Sequence, residues 1–156
     1  RFSLIGNFPY NISSQILLKI LKHKNQIKEV IGMFQKEVAE RIICLKGKQK
    51  GKLSVFVQAF YNVEYCFTVN EDLFIPPPKV KSAVIKLTRN SRTELSVDEN
   101  KFKQVVKTAF NQKRKKLSNN LKSLKLIDKE SIQDLLTLRA EQLSVDDFIK
   151  LTSHVR

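Results

Sequence analysis

Asn7-Phe8-Pro9-Tyr10 is the stretch on which the reading of this chain turns. It follows an apolar run, residues 2–5, that reads as the end of a strand, and precedes an amphipathic stretch, residues 12–21. An Asn-X-Pro-aromatic tetrapeptide at the C-terminal end of a strand suits one chemical problem, alkylation of an exocyclic amine on a nucleobase. The amine of adenine is a poor nucleophile because its lone pair is delocalised into the ring. Two acceptors aimed at its N–H groups favour a pyramidal nitrogen and direct the lone pair at an electrophile. The Asn7 side-chain oxygen can be one acceptor. The Pro9 carbonyl can be the other, held by the fixed proline φ. Tyr10 offers a flat face on which an extruded base can stack. An ordinary turn is the competing reading, since Gly-Asn and Pro are common turn residues.

The rest of the chain bears on that choice through its charge. Twenty-nine Lys and Arg against 15 Asp and Glu give a net charge of +14 over 156 residues, with 42% hydrophobic residues. So large an excess points to a polyanionic partner, either nucleic acid or an acidic membrane surface. No apolar run is long enough to span a bilayer, so no membrane segment is expected. The excess is also uneven. Between Glu99 and Asp128 stand nine basic residues and no acidic one: Lys101, Lys103, Lys107, Lys113, Arg114, Lys115, Lys116, Lys122 and Lys125. Six of them lie in residues 111–125 among Asn111, Gln112, Ser118, Asn119 and Asn120. Point charges for phosphate oxygens beside short amides make a phosphate-binding composition. A solvated helix face is the bland alternative, but such faces usually mix signs. Cys44 and Cys66 have no CxxC or Cys/His spacing and read as reduced thiols of a cytoplasmic protein. His23, His154 and the pair Asp146-Asp147 read as helix-end residues, so no metal is expected.

Periodicity predicts helices over residues 13–21, 36–45 and 53–61, with Ile12, Ile16, Leu17, Ile20 and Leu21 on one side of the first. Glu37 and Arg41 are spaced for an i,i+4 pair in the second. Strands are expected at 29–34, 63–69 and 83–87. Residues 46–52 form a basic Gly/Lys loop expected to be mobile. Pro76, Pro77 and Pro78 stiffen a loop over 74–80. Residues 88–96 read as a polar linker. Helices follow from Asp98, with Phe102, Val105, Val106, Ala109 and Phe110 at helical spacing, then at 117–124, 129–136 and 144–153, with Asp128 and Ser144 as expected caps.

In this order the residues resemble a known family. Residues 7–13 (Asn-Phe-Pro-Tyr-Asn-Ile-Ser) are similar to the Asn-Leu-Pro-Tyr-Asn-Ile-Ser segment of KsgA-type ribosomal RNA adenine N6,N6-dimethyltransferases, with Phe8 for the usual Leu. Residues 35–41 (Gln-Lys-Glu-Val-Ala-Glu-Arg) resemble a second segment of that family. Residues 74–82 resemble its Phe-X-Pro-Pro-Pro-Lys-Val-X-Ser loop, and 109–117 its basic helix. Residues 139–144 resemble its Arg-Ala-Glu-X-Leu-Ser element. Each segment is weak by itself; five in order cover almost the whole chain.

The resemblance implies an α/β fold: the C-terminal half of a class I, Rossmann-like methyltransferase domain over residues 1–91, then a small all-α RNA-binding domain over 92–156. It implies S-adenosyl-L-methionine (AdoMet) as cofactor and no metal. It implies dimethylation of N6 on two adjacent adenines near the 3′ end of small-subunit rRNA, in free RNA or the immature subunit, by a monomer. Asn7, Pro9 and Tyr10 would be catalytic, Tyr10 and Phe74 would stack the base, and Asn7 and Phe8 would border the cofactor. Lys79, Asn111, Gln112, Lys113, Arg114, Lys115, Lys116, Asn120 and Lys122 would bind RNA. On a helix, Lys113 to Lys116 would fan around the axis, with at least one left in solvent. The family's glycine-rich cofactor loop precedes the Asn-Leu-Pro-Tyr motif. Gly6, Gly32, Gly47 and Gly51 form no such loop, so about a hundred upstream residues are expected in the intact enzyme, and the chain alone is expected to be inactive. Exposed apolar surface is expected where that part would pack. The competing readings are an Erm-type large-subunit rRNA or DNA adenine methyltransferase, and a non-enzymatic ribosome-assembly factor of the same fold.

Overall fold

Strand β2 (Ile27–Gln35) organises the first half of the chain, because burying every second residue pins it between two neighbours. Val30, Gly32 and Phe34 are buried, and the residues between them only partly. On one side it pairs in parallel with β1 (Phe2–Asn7), to which helix α1 (Ser13–Lys22) connects it in a β-α-β crossover. On the other side it pairs antiparallel with β4 (Ser82–Arg89). Beyond β4 lies β3 (Tyr61–Val69), also antiparallel, which gives the sheet order β1-β2-β4-β3. Helices α2 (Lys36–Ile43) and α3 (Lys52–Phe60) fall between β2 and β3. In α1 the stripe Leu17, Ile20 and Leu21 is buried, whereas Ile12 is exposed and not part of it. The Glu37–Arg41 pair forms at 3.6 Å on an exposed face, where it adds little stability.

All of residues 1–156 are described by this computed structural model, and they divide into two compact units. The first comprises residues 1–44 and 56–93, the second 45–55 and 94–156. The second unit thus takes in a segment, 45–55, that the sequence pattern did not group with the C-terminal part. In the first unit Phe2 and Ile5 on the edge strand β1 are exposed. Tyr61 is buried and donates its hydroxyl to the Ile27 carbonyl at 2.8 Å. Burial pushes its phenol up to about 12, against the pull of the nearby Arg89 charge. Neither Cys44 nor Cys66 is in a disulfide. The expected linker is shorter than residues 88–96: Thr88 and Arg89 still belong to β4, and Arg92 donates to the Ala59 carbonyl at 2.9 Å.

The second unit is helical: α4 (Glu99–Ala109), α5 (Leu117–Asn120), α6 (Gln133–Leu136) and α7 (Val145–Ser153). Phe102, Val105, Val106 and Ala109 of α4 are buried, as are Phe148 and Leu151 of α7. The Asp98 carboxylate caps α4 by accepting from the Lys101 N–H at 2.8 Å, and Ser144 and Asp147 form a capping box on α7. Asp128 does not act as the expected cap. It sits at φ +48, and its carboxylate accepts from the Ser131 hydroxyl instead of a backbone N–H.

The Gly/Lys segment 46–52 does not leave all of its cations in solvent, because Lys50 is buried at 1% exposure. Its ammonium donates to the carbonyls of Leu45 (2.7 Å) and Leu143 (2.5 Å), which tie the segment to the C-terminal helices. Nor is the basic run helical: α4 ends at Ala109, and residues 110–116 form turns before α5. The Asn120 amide donates to the carbonyls of Ala109 (2.8 Å) and Gln112 (2.9 Å), so the helix end is satisfied without another turn. On a helix the like charges of Lys113 and Lys116, three apart, would also repel one another.

Candidate functional site

Pairing register brings the end of β1, the end of β2 and the start of β4 to one end of the sheet. Asn7 lies opposite Met33, and Gln35 opposite Ser82. Ligands of open α/β sheets bind beyond the carboxyl ends of parallel strands, which is where this end lies. A cleft of about 390 Å3 opens there, lined by Asn7, Phe8, Pro9, Tyr10, Phe74, Pro76 and Pro78. That volume falls in the range of small-molecule sites, about 300–1,000 Å3. The structure thus brings the tetrapeptide together with Phe74, some 64 positions away in sequence.

Three of the wall residues, Phe8, Pro9 and Tyr10, are held by identifiable contacts. The Tyr10 hydroxyl is hydrogen-bonded to the Ser82 hydroxyl, and Ser82 is fully buried at the start of β4. Ser13 at the head of α1 donates to the Tyr10 carbonyl at 3.2 Å. The Pro9 carbonyl accepts from the Ile12 N–H at 3.3 Å, which leaves it one lone pair for a ligand. The Asn7 side chain is exposed at the end of β1. The Phe8 ring lies against Phe34 at 5.2 Å between centroids. It also covers Gly32, where a Cβ would come within 2.3 Å of the ring. Only glycine leaves room for Phe8 at that point of β2. Phe8 therefore packs the base of the cleft, on the strand that positions Asn7. Ser82 and Gly32 carry no signal of their own in the sequence. Ser82 stands at the end of a recognised segment, but nothing in a linear sequence pairs it with Tyr10.

On the Pro-rich loop Phe74 is half-buried in the cleft, and Lys79 is exposed outside it. In the second unit Asn111, Gln112, Lys113, Arg114, Lys115 and Lys116 are all exposed on the turn, as is Lys122 on the short helix after α5. Lys113 reaches back to the Lys48 carbonyl at 3.1 Å. Asn120 stands apart from the others, because both of its amide bonds are spent on the turn itself. It is a structural clamp of the basic run, not a free donor. No group of three or more His, Cys, Asp or Glu is arranged to hold a metal ion, and no helix is long and apolar enough to cross a membrane.

The family model for ribosomal RNA adenine dimethylase matches residues 1–154. The chain belongs to the ribosomal RNA adenine dimethylase family. Among curated relatives, the ribosomal RNA small subunit methyltransferase A of Cytophaga hutchinsonii is 54% identical over 154 residues, covering 98% of this chain and 60% of the relative. The protein of the same name from Bacteroides thetaiotaomicron is 57% identical over 156 residues, covering 99% and 58%. The chain spans about 60% of the length of the curated relatives it matches. Among solved structures, a dimethyladenosine transferase from Plasmodium falciparum superposes with a TM-score of 0.83 at 24% identity, over 98% of this chain and 68% of that one. The 23S rRNA methyltransferase ErmE superposes with a TM-score of 0.70 at 21% identity, over 99% and 65%. These two likenesses are of fold: a Rossmann-like methyltransferase sheet with a helical part after it. For a dimethylase-family chain, the cleft occupies the expected end of that sheet.

Proposed function

We propose that this chain is the acceptor-binding part of an AdoMet-dependent rRNA adenine N6,N6-dimethyltransferase. Its substrate is two adjacent adenines near the 3′ end of small-subunit rRNA, and its role lies in ribosome biogenesis in the cytoplasm, as a monomer. The observation that carries the reading is the cleft in which Asn7, Pro9, Tyr10 and Phe74 converge. The small-subunit substrate is supported by relatives above 50% identity that are named for it. The Erm-type alternative rests on a 21% likeness of fold alone.

AdoMet, when bound, would supply an electrophilic sulfonium methyl for the adenine nitrogen, with the thioether as leaving group. The residues here fit the acceptor side of such a site: a carboxamide, a carbonyl with a free lone pair and an aromatic lining, with Asn7 and Phe8 bordering the cofactor. The Asn7 oxygen and the Pro9 carbonyl accept from the two N–H groups of N6 and turn its lone pair towards the methyl. The base lies between Tyr10, fixed by Ser82, and Phe74. The proton lost from N6 leaves to solvent, and the singly methylated amine keeps one N–H, which holds it for the second transfer. Exposed cations on the turn, Arg114, Lys115 and Lys116, together with Lys79 and Lys122, contact phosphate.

The test joins this chain to its AdoMet-binding part and follows methyl label into small-subunit rRNA and immature small subunits. Label is expected as dimethyladenine at two neighbouring positions near the 3′ end. Label confined to large-subunit rRNA would replace this reading by the Erm-type one.

A further inference from the structure

Beside the cleft, the chain presents two large apolar side chains to water. Ile75 is 100% exposed and Leu73 72% exposed. A single exposed Leu or Ile is ordinary. This pair differs in its placement and in the stiffness of what carries it. Leu73 and Ile75 alternate with Phe74 and Pro76, both of which line the cleft. The backbone is held ahead of them by the Leu73 N–H donating to Asn70 and the Phe74 N–H donating to Glu71, each at 3.3 Å. Behind them Pro76, Pro77 and Pro78 fix three successive φ angles. The ordering cost that a flexible loop would meet on binding is therefore largely absent. Lys79 and Lys81 are exposed on the same loop, whereas Asp72 is exposed beside Leu73. That polarity sets a nucleic-acid backbone on the lysine side, with its bases towards the apolar pair.

Taking a base out of a stack leaves a ring-sized gap, and apolar side chains can wedge into such gaps. We propose that Leu73 and Ile75 form a paired wedge that fills the gap left in the RNA stack when a target adenine enters the cleft. The role rests on the reading of the cleft given above. It assigns to the outer face of the Pro-rich loop a function distinct from that of Phe74 on its inner face. The ligand is a stacked, purine-containing RNA segment, and the contribution is to extrusion, not to the methyl transfer itself.

The experiment uses the protein in which this chain is joined to its AdoMet-binding part, with single-turnover methylation of two RNAs. One RNA has an intact stack at the target. In the other, the nucleotide 3′ to the target adenine is abasic, so the stack is already broken. The Leu73→Ser/Ile75→Ser double variant is expected to be roughly tenfold or more slower on the intact RNA and within about twofold of the parent on the abasic one, the size of effect that base stacking carries. An equal deficit on both RNAs, or none on either, overturns the wedge. So does a clear fall in the melting temperature of the double variant, which would mean that another part of the longer protein covers these residues. Asn7→Ala, run in parallel, is expected to be slow on both RNAs. Parental rates for Asn7→Ala would overturn the reading of the cleft, and the wedge with it.

Discussion

Around Asn7 the surrounding groups are fixed: Tyr10 by Ser82, Phe8 by Phe34 and Gly32, and the loop opposite by three prolines. Around Lys115 the backbone is fixed, by Asn120 and by a turn in which the Lys115 N–H donates to Gln112 at 3.0 Å, but the long side chains stand in solvent. On the proposed function, the two regions answer different physical demands. Aiming the lone pair of one nitrogen needs acceptors placed to within fractions of an ångström, so the cleft is built on strand ends and packed rings. Attracting phosphate needs charge density, which flexible lysines supply without fixed geometry. Changes in the cleft should therefore alter rate, and changes in the turn should alter affinity and its response to salt.

The sharpest way to break that division is Asn7→Ala in the longer protein. Turnover should fall by roughly a hundredfold or more, the usual effect of depriving a reacting group of one preorganised polar partner. RNA affinity in a filter-binding assay should change little. Near-normal turnover would remove Asn7 from the mechanism.

Replacing Lys113, Arg114, Lys115 and Lys116 together with Ala tests the other side. Lys113 spends one of its three donors on the Lys48 carbonyl, and two or three of the four cations are expected to reach phosphate. The plot of log affinity against log salt should flatten by about 2–3 units, at ~0.7–0.9 for each phosphate no longer neutralised. AdoMet binding should be unaffected. Equal slopes for parent and variant would make this turn a solvated surface.

Gly32→Ala probes how rigidly the cleft is built. The added methyl must displace the Phe8 ring, with an expected loss of about 1–3 kcal/mol in denaturant unfolding. Phe8→Leu in the same chain should recover part of it, so the two changes should not add. Strict additivity would show that Phe8 is not what excludes a side chain at Gly32.

The smallest effect is expected from Asn120→Ala, about 1 kcal/mol of stability for an amide that satisfies two carbonyls. Unchanged stability with weakened RNA binding would return Asn120 to the role that the sequence alone suggested for it.

Much of the fold was legible because burial writes a period into the sequence. The apolar run Val30, Ile31, Met33 and Phe34, and the stripe Leu17, Ile20 and Leu21, announce a strand and a helix before any tertiary neighbour is known. Local caps were legible where a side chain bonds three residues ahead, as at Ser144. Asp128 misled because an identical residue type can adopt a left-handed backbone and spend its carboxylate on a neighbouring hydroxyl. The basic run read as a helix because a charged stretch carries no buried period to contradict that assignment. Its ending depends on Asn120, eleven residues beyond Ala109.

By itself, then, the sequence determined that a strand ends in an acceptor-rich, aromatic tetrapeptide, that the net charge points to a polyanionic partner, and where the cations lie. These follow from residue chemistry and short-range spacing, which a linear order preserves. Tertiary structure alone decided that Ser82 anchors Tyr10 across 72 positions, that Gly32 makes room for Phe8, and that Lys50 is a buried tie and not one more surface cation. Each depends on which distant segments come to share a few ångströms of space, and strand register and packing, not composition, set that.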